Sequence, residues 1–390
     1  MPGNRDHQPL FPRLLLLGAS VLFSLVLAEG ALRLFPSLMS EGARRQLHFA
    51  EQSLGRFGPH PTIGYLPLPE TLADRAPAAR AADSLRAEEI WGPRNRHPWP
   101  ERADILVLGD SFAYSQTVKT EEAWTTLLDR ALPQYRVVTL GLIGAAPQQY
   151  LRIYETFGTE LAPDVLLIGF FPTNDFQDAL LFDRWWRSGR EVDYPTFRQA
   201  RNRPGFKGWA ARVVLRSRLL TLLSEFRKSF RDGRLLRGKT IELPSGERIQ
   251  MVPRSLHNAA ARADSSREEH RIVMETFKEI HRIAESRGTR DLVIVFPSKE
   301  EVYLPLLGEE APELGALLVP ELTEAGIPSL DLGPVFRERA ANGPALFHKV
   351  DGHPNARGYA LVAETVQSYL AERKEEYGLA APEDSSAASL

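Results

Sequence analysis

Apolar residues along this 390-residue chain fall into two kinds of run. Residues 105–108 (Ile-Leu-Val-Leu) are aliphatic throughout, with no polar alternation, and read as a strand buried on both faces. The pattern recurs at 136–140, 165–170, 292–296 and 329–332. Between most of these runs the apolar positions switch to helical spacing, at 123–132, 148–158, 266–286 and 311–325, with a further helix at 356–369. Strands alternating with helices predict an α/β domain, over residues 101–377, whose parallel sheet is covered on both faces.

Three regions leave that rhythm. Residues 14–28 are uninterruptedly apolar, follow Arg5 and Arg13, and continue to Phe35 past only Glu29 and Arg33. A span needs about 20 apolar residues, and 10–32 supplies them with its charges near the two interfaces. Ala28-Glu29-Gly30 is a poor cleavage site, so residues 14–35 read as an uncleaved signal-anchor. Residues 1–13 would then be cytoplasmic and the globular part outside the cytoplasm, periplasmic or extracellular; cleaved secretion is the alternative. Residues 36–100 carry prolines at 59, 61, 67, 69, 77, 93, 98 and 100 and predict an extended arm between membrane and domain, in which Gly64-Tyr65-Leu66-Pro67 is a candidate to pack against the domain surface.

The third region, about 182–263, is an arginine-rich insertion opening on Arg184-Trp185-Trp186-Arg187, with a basic amphipathic helix expected over 209–230. Three roles fit it: a helical subdomain with a solvated basic face, a face resting on anionic headgroups, or a lid. As a lid, Trp185 or Trp186 would stack on a sugar ring or an acyl group. Residues 378–390 read as a disordered tail.

Composition changes this picture little. Lysine plus arginine total 48 against 50 acids, so global charge names no partner, and nucleic acid is not expected outside the cytoplasm. Cysteine is absent, which excludes disulfides, thiol catalysis, Cys-ligated zinc and a lipoprotein anchor. The sequence leaves the oligomeric state open.

The candidate chemistry lies where the aliphatic runs stop. The first ends in Gly109-Asp110-Ser111, placing a serine at the carboxyl edge of a sheet, where open α/β folds bind ligands. A serine hydroxyl needs a base to take its proton and an acid to orient that base, and Asp351-Gly352-His353 carries both on one short turn. In an extended segment residues two apart point the same way, so Asp351 can reach the His353 ring. The second run leads to Gly141 through Gly144 and the third to Thr173-Asn174-Asp175. His348 and Asp331 are alternative partners for the serine. Lys299, after the fourth strand, is placed either to contact an anionic substrate or to pair with Glu300 or Glu301. No Gly-x-Ser-x-Gly occurs, which argues against the nucleophile elbow of α/β-hydrolases.

In these four blocks, over roughly residues 103–370, the chain resembles the SGNH (GDSL-type) hydrolase superfamily. The resemblance implies a flavodoxin-like three-layer parallel sheet, serine-based ester chemistry, and neither cofactor nor metal. Carried over by position, it makes Ser111 the nucleophile, His353 the base and Asp351 its orienting acid. The Ser111 N–H, the Gly144 N–H and the Asn174 side chain would form the oxyanion hole. Two positions depart from the family pattern: Asp-x-x-His is the commoner spacing, and Thr139 stands where asparagine is frequent. Relatives with Asp-x-His include polysaccharide O-acetyltransferases, so the expected partner is an acyl-ester substrate on a polysaccharide or lipid. The activity implied is a membrane-anchored esterase, with an envelope-polysaccharide O-acetyltransferase and a non-catalytic envelope scaffold as alternatives.

Overall fold

In the computed structural model, residues 10–39, 57–69, 84–202, 217–224, 227, 239–251, 256, 258, 260–261, 263–349 and 351–379 are described. They group into two units, Met1–Arg56 with Gln199–Arg237, and Phe57–Arg198 with Gly238–Leu390.

In the first unit, helix α1 (Leu10–Leu34) exposes Leu16, Leu22, Phe23 and Val26, apolar on every side, as a helix meeting hydrocarbon does. Residues 15–34 are long and apolar enough for a span or a signal sequence. Glu29, the acid that interrupts this run, has a local explanation. Its carboxylate accepts from Ser217 Oγ and from the N–H groups of Arg218 and Leu219, capping the helical residues 218–224. Leu219 and Leu222 then pack on buried Leu32 and Met39. The rest of the helix expected over 209–230 lies outside the described residues, apart from Arg227.

The second unit opens with a hairpin, β1 (Phe57–His60) and β2 (Gly64–Pro67), and a short helix α2 (Ala87–Trp91). Ile63, Leu66 and Trp91 are fully buried here and belong to the main core. The packing expected of Gly64-Tyr65-Leu66-Pro67 thus extends over 57–69 and 84–91, which are not an extended arm; residues 40–56 and 70–83 of the expected arm lie outside the described residues.

The sheet follows. Strand β3 (Ile105–Gly109) leads into the one-turn helix α3 (Ser111–Tyr114) and then α4 (Trp124–Ala131). Next come β4 (Val137–Thr139), α5 (Pro147–Ile153), β5 (Val165–Phe170), α6 (Pro172–Arg187) and α7 (Tyr194–Asn202). A second hairpin, β6 (Lys239–Glu242) and β7 (Arg248–Met251), buries Ile241, Ile249 and Met251, so the insertion is not wholly helical. The chain returns through α8 (Glu268–Ser286), β8 (Arg290–Val295), α9 (Lys299–Tyr303), α10 (Leu314–Glu324), β9 (Ser329–Asp331), α11 (Gly333–Asn342) and α12 (Ala356–Glu372).

Strands β4-β3-β5-β8-β9 form one parallel sheet in that order. Counted within the sheet the order is 2-1-3-4-5, the flavodoxin-like doubly wound arrangement, whose order reverses beside its first strand. All of β3 and β5 is buried, which their unbroken aliphatic runs require. Helix α4 packs on α12, while α5 and α6 pack on α8, giving the helical layers. Helix α8 shows why: Val273, Phe277, Ile280 and Ala284 recur at helical spacing and are its buried stripe. Leu379, placed in the tail by sequence, is buried, and its carbonyl accepts from the Tyr135 hydroxyl.

Candidate active site

Ser111 is the first residue after the turn that ends β3, in the first turn of α3. Asp110 caps that turn, its Oδ1 accepting from the Phe112 N–H at 2.8 Å. First-turn N–H groups have no partner within their own helix, which leaves the Ser111 N–H without one there. Ser111 Oγ lies 2.8 Å from His353 Nε2 and 3.3 Å from Asp110 Oδ2. One hydroxyl proton cannot serve both, and 2.8 Å is the normal length of such a bond. The hydroxyl therefore donates to His353.

His353 is oriented by Asp351, whose Oδ1 lies 2.6 Å from His353 Nδ1 and also accepts from the His353 backbone N–H at 2.8 Å. Burial acts to raise the Asp351 pKa, but hydrogen bonding and charge from His353 outweigh it and hold the carboxyl well below its usual range. An ionised carboxylate only accepts, so Nδ1 carries hydrogen, and in the neutral ring Nε2 is left to receive the serine proton. The Phe112 ring flanks the imidazole with centroids 4.7 Å apart and stacks on Phe171 at 3.8 Å. Gln116 Nε2 is 3.4 Å from His353 Nε2.

The loop carrying this pair is held both by its own residues and by neighbours, among them Glu247 and the Tyr303 hydroxyl, which accept from the Ala345 and Leu346 N–H groups. The His348 N–H donates to the His353 carbonyl, the Asn355 N–H to Leu346, and Asn355 Nδ2 to Ala345 and Phe347, while Asn355 Oδ1 caps α12. Lys299 sits beneath it. Its buried Nζ donates to the carbonyls of Asp351 at 3.0 Å and His348 at 3.4 Å, and burial lowers its pKa. Lys299 therefore meets the loop from below, where a substrate cannot reach it, and the expectation of a substrate contact is corrected. Of the alternative partners, Asp331 caps the turn into α11 by accepting from the Gly333 N–H, and His348 contributes its backbone to the loop.

Across the serine lies the second loop. Gly144 has φ +69°, a conformation glycine adopts without strain, and a Cβ at Gly141 would stand 2.7 Å from the Tyr114 backbone nitrogen. Gly141 thus lets the loop press against the helix that carries Ser111, while Gly144 faces Arg198 and the Tyr65 hydroxyl. The loop's carbonyls are gripped one after another: Gly141 by Trp91 Nε1 at 2.9 Å, Ile143 by the Tyr65 hydroxyl at 2.7 Å and Gly144 by Arg198 at 2.8 Å. Asn174 stands in the first turn of α6. Its Nδ2 is 3.2 Å from Asp175 Oδ1, 3.2 Å from Asp178 Oδ2 and 3.4 Å from Asp110 Oδ2. Burial raises the pKa of Asp110 to about 6 and that of Asp175 well above the usual range.

Ser111, His353 and Asp351 thus stand in one hydrogen-bonded line, with Asn174 sharing Asp110 with Ser111 and Gly144 tied to Asn174 through Arg198 and Asp178. The tryptophans are elsewhere. Trp185 is buried among Phe182 and Tyr194, with Nε1 donating to the Val192 carbonyl, so it is core rather than a stacking platform. Trp186 lies between the guanidinium groups of Arg152 and Arg190. It is twelve residues beyond Asn174 on one helix, about 18 Å at 1.5 Å per residue, too far to stack on a group held at Ser111. Arg198, Asp178 and Trp91 were not indicated by the sequence, and Tyr65 only as part of a stretch that packs on the domain surface. Of the first three, only Asp178 carried a signal, lying four residues after Asn174 on a helix that Pro172 opens.

No protein-family model matches the chain, and no curated protein is similar to it. Solved structures similar to it include a member of the lipolytic protein G-D-S-L family from Veillonella parvula DSM 2008, 14% identical over 68% of this chain and 97% of that one, with a TM-score of 0.34. Another is the acetyl xylan esterase AlAXEase, 11% identical over 68% and 99%, with a TM-score of 0.37. A two-domain esterase active on acetylated mannans is 14% identical over 71% of this chain and 50% of that one, again with a TM-score of 0.37. Likeness at these scores adds nothing to the strand order and the placement of the four blocks. Those two features establish a flavodoxin-like parallel sheet, with Ser111, Gly144 and Asn174 just past the ends of its strands and His353 in the loop between α11 and α12.

Proposed function

We propose that this protein is a serine esterase-type enzyme acting on ester-linked acyl groups. The observation that carries the reading is the relay of Ser111 Oγ, 2.8 Å from His353 Nε2, with His353 Nδ1 2.6 Å from Asp351. Ser111 attacks the acyl carbonyl while His353 takes its proton, and Asp351 stabilises the imidazolium that forms. The tetrahedral oxyanion is received by the Ser111 N–H, the Gly144 N–H and Asn174 Nδ2. Each such donor is worth about 3 kcal/mol in the transition state. His353 then returns the proton to the departing alcohol, and the acyl-enzyme passes its acyl group to water or to a second hydroxyl. Residues 15–34 serve as a signal-anchor that holds the domain outside the cytoplasm.

The test uses the full chain. Hydrolysis of p-nitrophenyl acetate should sediment with membranes, survive an alkaline wash and fall by about 10³-fold or more in Ser111→Ala. Offering acetylated and free oligosaccharides as acceptors beside water then separates hydrolysis from transfer. Equal turnover by wild type and Ser111→Ala would overturn the reading.

A further inference from the structure

Three carboxylates crowd the one side-chain donor of the proposed oxyanion hole. Asp110, Asp175 and Asp178 all lie within 3.4 Å of Asn174 Nδ2. An oxyanion developing there meets a field of the wrong sign unless these acids are protonated or balanced. Burial favours protonation of Asp110 and Asp175. Asp178 has a cation instead: Arg198 Nη2 lies 3.0 Å from Asp178 Oδ1. The same guanidinium uses Nη1 to hold the Gly144 carbonyl at 2.8 Å, with the Tyr65 hydroxyl at 3.4 Å. Burial works against the charge on Arg198, but Tyr65 and Asp178 outweigh it and keep the group charged.

We propose that Arg198, on helix α7, is a positioning residue of the oxyanion hole: it fixes the peptide of Gly144 and offsets the charge of Asp178 behind Asn174. One side chain thereby sets two donors that come from different loops. Holding the Gly144 carbonyl fixes the tilt of that residue and so the aim of its N–H. Drawing Asp178 Oδ1 away leaves Oδ2 to take one Asn174 N–H, while the other, which faces Asp175 Oδ1 and Asp110 Oδ2 here, turns to the oxyanion as it forms. Helix α7 belongs to the segment that interrupts the α/β rhythm, so the insertion contributes to the site through this arginine and not through the tryptophans.

The inference rests on the esterase reading, and p-nitrophenyl acetate hydrolysis by the full chain in detergent tests both. Arg198→Met should lower kcat roughly 30-fold, between a small displacement and loss of a whole donor, with KM changed less than about 3-fold. Arg198→Lys, which keeps the charge but not the two-pronged grip, should lose roughly 5-fold. Adding Asp178→Asn to Arg198→Met should restore at least about 5-fold of kcat, because the unbalanced charge goes with it. A purely structural role would show no such recovery, and the double variant would melt lower and turn over more slowly. Arg198→Met within about 3-fold of wild-type kcat, or a double variant no better than Arg198→Met, overturns the inference. Wild-type hydrolysis that survives Ser111→Ala overturns the esterase reading first, and the role of Arg198 with it.

Discussion

The two loops that flank Ser111 are built in opposite ways. The proposed base loop carries Asp351 and His353 one residue apart, and a single carboxylate oxygen of Asp351 engages both the ring and the backbone of His353. Its remaining bonds run partly between Ala345 and Asn355 and partly to neighbours: Lys299, Glu247, the Tyr303 and Thr117 hydroxyls, and a Gln250 N–H donated to the Lys349 carbonyl. The oxyanion loop makes few bonds of its own. Trp91, Tyr65 and Arg198 hold it, from three elements that are 50, 78 and 54 residues away from the carbonyls they grip. A short loop can fix a proton relay, whose members need only touch. Aiming separate donors at a point in space needs a frame, and here the frame comes from outside the α/β core.

The oxyanion side should accordingly be the more fragile to a change of charge, and Asn174→Asp is the harshest such change. It keeps the capacity to form the turn but adds a carboxylate where negative charge must develop, within reach of Asp110, Asp175 and Asp178. Loss of one donor costs about 10²–10³ in turnover, and the new charge should bring the loss to at least 10³. Steady-state kcat with p-nitrophenyl acetate, at unchanged circular dichroism, measures it. Near wild-type turnover would remove Asn174 from the hole and leave it a turn former.

A second change probes the stability cost of that crowded side. The pKa of Asp110 is raised from 3.8 to about 6, chiefly by burial. The folded state therefore keeps a proton that the unfolded chain has lost, and stability falls as pH rises from about 4 to about 6. Asp110→Asn keeps an oxygen for the Phe112 N–H and removes the ionisation. It should raise the melting temperature at pH 7.5, where two pKa units set a ceiling of about 3 kcal/mol. Turning Nδ2 toward Asn174 gives part of that back, and below pH 4 the gain should vanish. A variant equally destabilised at pH 4 and pH 7.5 would show that Asp110 is not held against its charge.

The same contrast explains what could be read in the sequence. The strands of the sheet lie within about two residues of the aliphatic runs, because a strand buried on both faces is made mostly of apolar residues. Ser111, Asn174 and the Asp351–His353 pair were visible because each marks the end of such a run or a turn with its own short pattern. Arg198 was invisible: it is one of many arginines in the insertion, and what it does depends on a tertiary contact with Gly144. The prolines misled for a physical reason. Pro59 sits inside β1 opposite Tyr65, so a segment that looked extended is a ribbon whose Ile63 and Leu66 fill the core. Lys299 misled differently. Ser298 and Glu301 form a capping box that starts α9 and turns the lysine inward, and that spacing could have been read.

Lys299 supplies the smallest predicted effect and the sharpest comparison. Its Nζ meets the Asp351 and His348 carbonyls, so, like Arg198, it braces a catalytic loop by gripping backbone oxygens. The loop it braces has other supports: the hydrogen bonds of Asn355, the Gln250 N–H, and a Thr117 hydroxyl on the Pro354 carbonyl at 3.1 Å. The Asp351–His353 bond itself needs no brace, being closed across one residue. Lys299→Met keeps the buried stem and removes the ammonium, whose burial carries its own desolvation cost. The expected result is a kcat only about 3-fold lower, against roughly 30-fold for Arg198→Met, with a melting temperature within a few degrees of wild type. Measured side by side on p-nitrophenyl acetate, equal losses in the two variants would break the distinction between an acid–base pair closed across one residue, on a loop with many supports, and an oxyanion loop that depends on a few distant side chains.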